Sequence, residues 1–100
     1  MTNVTNDPVT RIVENIIRNN TGDAVTVIRA SQAHIAANAI NGNTGNGINI
    51  NQNSGVNLGN DSGGDAQDQP NSTTTINGGV GVRCQNNSSA DGRQGTLNGN

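Results

Sequence analysis

The chain has 100 residues and a net charge of −2 at pH 7; aromatic residues and lysine are absent, while Asn fills 20 positions and Gly 14. Its hydrophobic fraction of 29% lies well below the roughly 45–50% of ordinary globular domains, yet 12% charged residues is too few for disorder driven by charge repulsion. Five Arg against seven acidic residues make no basic face and no aromatic platform exists, which argues against nucleic acid as a partner; no apolar run approaches about 18 residues, so no helical membrane span is expected.

The few aliphatic residues recur in phase. Asn20-Thr21-Gly22 returns 23 residues later as Asn43-Thr44-Gly45, and Ala24, Val25 and Val27 return as Gly47, Ile48 and Ile50. Ile12 returns as Ile35 and then Leu58, and Ile17 as Ile40. A period in the low twenties with short alternating apolar runs marks a solenoid, whose thin interior needs only a handful of apolar residues per coil.

Residues 1–8 show no strong periodicity and read as a tail or lead-in; 9–100 read as one domain. Val9 to Arg18 admits two readings. Val9, Ile12, Val13, Ile16 and Ile17 recur at helical spacing, which fits a capping helix over an open solenoid end. The same residues align with His34-Ile35 and Ile40 one period later, which fits a regular coil.

The next coil contains strands at Ala24–Ile28, Ala33–Ala36 and Asn38–Ile40, with a bend near Ala30 to Gln32 and a corner at 41–45 made of residues that tolerate left-handed backbone. In Gly47–Ile50 and Val56–Leu58 aliphatics alternate with Asn, so one face points inward and the other outward. The expected architecture is all-β: a right-handed parallel β-helix of about four coils, carrying amide ladders such as Asn20 over Asn43. The period breaks after Gly59, and polar excursions are expected near 60–72 and 85–94. Between them Thr73–Ile76 and Val80–Val82 resume strand character, and Thr96-Leu97 reads as a last short strand.

Several stretches carry a family resemblance. They are Asn43–Ile50, Ser54–Gly59 running into Asn57-Leu58-Gly59-Asn60-Asp61, Val80-Gly81-Val82-Arg83-Cys84, and Ala90 to Gly99. They resemble the right-handed parallel β-helix repeats of the pectate-lyase-like superfamily, and more closely the C-terminal coils of bacterial β-helix proteins of uncertain function. The resemblance spans Asn19 to Asn100. It implies a secreted or cell-surface setting and, among such relatives, polysaccharide lyases, hydrolases, epimerases and phage tail spikes. This chain departs from the lyase and hydrolase patterns: it has no Lys, no paired Asp at equivalent strand positions and no aromatics to stack on sugar rings. No signal-peptide pattern opens it, which is open to a cytoplasmic protein, a phage protein or a piece of a secreted precursor.

Candidate chemistry is sparse. Asp61, Asp65 and Asp68 share one Gly-rich loop; solvated loop acids are the first reading, and calcium ligands the alternative, although their spacing matches no EF-hand. No other cofactor is expected. His34 should point outward, on one vertical row with Arg11 and Asn57, away from Glu14 and Asp23; a general base there lacks a fixed partner. Arg83 is placed to pair with Asp91 across the second excursion. Cys84 stands alone, so it is either a buried thiol or the partner of a cysteine outside this chain.

Two functions are compatible with this reading. One is a non-catalytic structural or assembly module offering a protein or glycan contact surface and self-associating through exposed coil edges. The other is a carbohydrate-binding or polysaccharide-processing β-helix, cut from a larger enzyme.

Overall fold

The computed structural model of the chain describes residues 10–59, 69–92 and 95–97. It contains nine short strands: β1 (Thr10–Val13), β2 (Ile16–Arg18), β3 (Val25–Val27), β4 (Gln32–Ala36), β5 (Ala39–Asn41), β6 (Ile48–Ile50), β7 (Gly55–Leu58), β8 (Val82–Cys84) and β9 (Ser89–Asp91). They form three sheets in the orders β1-β4-β7-β9, β2-β5 and β3-β6-β8, and each neighbouring pair is parallel. Through β7 successive strands visit the three sheets in turn and every third one returns to the same sheet; in the next coil the second sheet is represented by the Ala39–Ser72 bridge alone, and β8 and β9 rejoin the sheets of β6 and β7. That is an all-β parallel β-helix of about four coils, right-handed as parallel crossovers are.

The core follows from alternation within strands and period between them. In β3 and β6 the outer positions of the triplet are buried and the middle one faces out. The register then stacks like on like: Ile12 on Ile35 on Leu58, Ile17 on Ile40, Val25 on Ile48 on Val82, and Val27 on Ile50 on Cys84. Ile35, Ile40, Ile48 and Ile50 have no exposed surface, and each such burial contributes about 1.5–3 kcal/mol.

The corners repeat with the same period. Left-handed backbone occurs at Glu14 and Ala37, at Asn19 and Gly42, and at the pairs Arg29-Ala30, Gln52-Asn53 and Asn86-Asn87. Among these positions Gly42, with φ of 62°, takes the conformation without a steric cost. The others are held by the hydrogen bonds that follow, such as Ala30 N–H to Gln52 O at 2.9 Å and Asn53 N–H to Asn86 O at 2.9 Å.

The expected strands of the second coil are present at Gln32–Ala36, Ala39–Asn41 and Val25–Val27 just before them. One open choice is settled and four expectations are corrected. The segment 10–18 is a coil and not a capping helix: β1 and β2 pair in register with β4 and β5, and Ile16, which a helical face would bury, is 72% exposed. Thr73–Ile76 is no strand. Only Ser72 bridges to Ala39, the Thr74 and Thr75 N–H groups donate to Asn41 Oδ1 at 2.7 and 3.3 Å, and Ile76 is exposed. The polar stretch after Gln85 returns to the sheet as β9, because Ser89 N–H finds Ser54 O at 3.1 Å and Ala90 stacks on Val56. Thr96-Leu97 is not a strand: Gly95 and Thr96 form a turn, and Leu97 after it is buried and belongs to the core. Residues 1–9, 60–68, 93–94 and 98–100 lie outside the described residues; of the first expected excursion, near 60–72, the last part is coil and not excursion, with Asn71 buried in a side-chain ladder and Ser72 bridged to Ala39.

Candidate functional site

Asn ladders give this molecule its most regular chemistry. Asn43 Oδ1 accepts both the Asn20 N–H at 3.0 Å and the Asn20 side-chain amide at 2.9 Å. One coil on, Asn77 Oδ1 accepts the Asn43 N–H at 3.0 Å and its side-chain amide at 2.9 Å. A second ladder runs Asn15, Asn38, Asn71 with the same pattern. A backbone N–H can only donate, so the atom facing it must be Oδ1, which orients each amide. The remaining amide hydrogen goes to a strand carbonyl of the coil before: Asn38 to Ile12 O at 2.8 Å, Asn71 to Ile35 O at 2.9 Å, Asn43 to Ile17 O and Asn77 to Ile40 O, both at 3.3 Å. Buried Asn38 and Asn43 therefore satisfy every donor and both acceptor sites, and both ladders share one polarity: side-chain amides donate toward the C-terminal end.

Outward rows carry the charges. On the sheet formed by β1, β4, β7 and β9, the register places Arg11, His34, Asn57 and Asp91 in one vertical row. The expected row of Arg11, His34 and Asn57 is thus present, and Asp91 extends it. Arg11, Asn57 and Asp91 are exposed and His34 is half-buried. A shallow cleft of about 280 Å³ runs beside the row, lined by Gln32, Ala33, Gly55, Val56, Asn57, Ser89 and Asp91.

On the sheet formed by β3, β6 and β8 the outward row is Thr26, Asn49, Arg83. Asp23 ties this side together, accepting Asn46 N–H at 2.7 Å, the Asn46 amide at 2.9 Å and the Asn49 amide at 3.1 Å. Asn49 Oδ1 is shielded from solvent and has no hydrogen-bond partner among the described residues. Arg83 and Asp91 do not meet, since they lie in different sheets.

Cys84 is exposed, which corrects the buried-thiol reading. It occupies an inward position above Ile50, but among the described residues no strand lies beyond β8 to cover it. Its row passes from fully covered at Val27 and Ile50 to open at Cys84. A wider hollow of about 570 Å³ sits at this end, lined by Asn46, Gly78, Gly79, Val80, Val82, Arg83 and Cys84.

Asp61, Asp65 and Asp68 lie outside the described residues. Among the described residues no three His, Cys, Asp or Glu side chains converge as a metal site, and no helix is long and apolar enough to cross a membrane. The site and fold define the class of the molecule as a small parallel β-helix solenoid with amide-laddered interior corners. No protein-family model, curated protein or solved structure matches the chain.

Proposed function

We propose that this chain is a structural or assembly β-helix module that acts through contacts of its sheet faces and coil edges, without catalysis. The observation that carries the reading is the open end of the core. In the Val25–Ile48–Val82 and Val27–Ile50–Cys84 rows the first two coils are buried, while Val82 is half-buried and Cys84 and nearby Val80 are exposed, with no strand beyond β8 among the described residues. An edge strand with unpaired N–H and C=O groups and apolar inward positions is a template for another chain. The chain has no Lys to blunt such an edge.

The shallow cleft beside Asn57 and Asp91 supports a second reading, in which the surface binds glycan or belongs to a polysaccharide-processing protein. The pectate-lyase-like relationship and an extracellular setting accompany that reading as proposals resting on the resembling stretches. Calcium on Asp61, Asp65 and Asp68 stays a proposal of the same standing.

Light scattering over a dilution series, with Cys84 alkylation in parallel, tests the first reading. The expected result is a mass that rises with concentration while alkylation slows. A monomer at every concentration overturns it. Release of sugar products from a panel of acidic and neutral polysaccharides establishes the second reading instead.

A further inference from the structure

We infer that Asp91-Gly92 is a self-modifying site, at which the Gly92 nitrogen closes on the Asp91 side chain to a succinimide that water opens to isoaspartate. Among the described residues Asn41-Gly42, Asn46-Gly47 and Asn77-Gly78 carry the same chemistry, a side-chain carbonyl followed by a glycine nitrogen that no Cβ shields. What sets Asp91 apart is where the fold sends the two reacting groups.

In the three Asn-Gly pairs both groups are turned toward neighbouring coils. The glycine N–H donates to a backbone carbonyl in each: Gly42 to Thr75 O at 3.0 Å, Gly47 to Val80 O at 2.9 Å and Gly78 to Asn43 O at 2.7 Å. The side chains are held as well. Asn41 Oδ1 accepts the Thr74 N–H at 2.7 Å, the Asn46 amide donates to Asp23 Oδ1 at 2.9 Å, and the Asn77 amide donates to Ile40 O at 3.3 Å. Ring closure at any of them requires the coils to part locally.

At Asp91 the two groups face each other. The Gly92 N–H donates to Asp91 Oδ1 at 2.9 Å, so the nitrogen already lies against the side chain it attacks. Both residues are exposed, and β9 is the last strand of its sheet among the described residues. Gly92 has φ of 104°, and a Cβ there would meet Leu58 O, so the fold itself demands the residue that leaves this nitrogen unhindered. Asn51 shows the same bond, from the Gln52 N–H at 2.8 Å, but its oxygen also takes the Asn86 amide at 2.6 Å and a Gln side chain flanks the nitrogen.

The bond formed joins the Gly92 nitrogen to the Asp91 side-chain carboxyl carbon. The bond broken is from that carbon to its hydroxyl, which leaves as water with the amide proton. Water then adds to the main-chain carbonyl of the ring, and the bond from that carbonyl to nitrogen opens. The backbone now runs through the side chain and is one carbon longer at the end of β9, where Asp91 pairs in register with Asn57.

The experiment uses the full chain, Asp91→Asn and Asp91→Glu. Asp91→Asn makes all the pairs alike, with ammonia leaving in place of water, so that place in the fold becomes the main difference between them. It is incubated in dilute neutral buffer, folded and in urea, and peptide mass spectrometry reads deamidation at each position. In the folded chain position 91 should react at least about tenfold faster than Asn41, Asn46 and Asn77, and in urea all should react at similar rates. The unmodified chain, aged folded in mildly acidic buffer, should be cleaved after Asp91 by hydroxylamine, which attacks succinimides. Asp91→Glu, which would need a larger ring, should stay intact. Position 91 reacting no faster than the other three while folded overturns the inference, as does an unmodified chain that hydroxylamine leaves uncut after Asp91. Should Asp91→Asn lose β content by circular dichroism, the comparison of the unmodified chain with Asp91→Glu decides alone.

Discussion

Asn43 receives from Asn20, one coil earlier, both a side-chain amide at 2.9 Å and a backbone N–H at 3.0 Å, and passes the same two bonds on to Asn77. The side chain is buried, so no water replaces a lost partner. Asn43→Ala removes the acceptor of the Asn20 N–H and side-chain amide and the donor to Ile17 O, and leaves Asn77 Oδ1 with the residue-43 backbone N–H alone. The expected cost is about 3 kcal/mol, which for a domain of this size is a drop of roughly 12–24 °C in Tm by calorimetry. Asn57→Ala, on the exposed row, should change stability by no more than about 0.5 kcal/mol. Equal effects at the two positions would remove the ladder as a source of stability.

Ala30 holds φ at 55° in a corner where the later coils use Asn53 and Asn87. A Cβ-bearing residue in left-handed backbone costs about 1–2 kcal/mol, and Asn suffers least because its side chain bonds locally. Ala30→Asn should therefore stabilise the chain by about 0.5–1 kcal/mol in urea unfolding at unchanged slope, and Ala30→Gly by a similar amount. A loss of stability with both substitutions would show that the corner is not strained.

Ile50 and Ile16 test the inward–outward assignment. Ile50 is fully buried between Val27 and Cys84 of its row, so Ile50→Ala should cost about 2–5 kcal/mol. Ile16 points to solvent at 72% exposure, and Ile16→Thr should lie within about 0.5 kcal/mol of the unmodified chain. A costly Ile16→Thr would mean that this face is covered in solution, and its dependence on protein concentration would identify a partner copy.

How much of this was legible in the sequence depends on the 23-residue period. Where coils follow one another without insertion, spacing in sequence translates directly into stacking in space. Ile35 therefore stacks on Ile12, His34 on Arg11, and Asn43 beneath Asn20, all as the spacing predicts. Alternation along each short strand then decides inside from outside, because successive side chains point to opposite faces.

Past Gly59 the translation fails, and the tertiary structure decides. The equivalent separation grows to 34 between Asn43 and Asn77, and Gly55 pairs with Ser89. No apolar pattern marks β9, whose three residues are all exposed, so Asp91's place on the Arg11 row was hidden. The same holds for Cys84. Its inward position follows from alternation after Val82, but its exposure depends on where the sheet of β3, β6 and β8 ends. A local pattern specifies which way a side chain points; whether another strand lies above it is a property of the stacked coils alone.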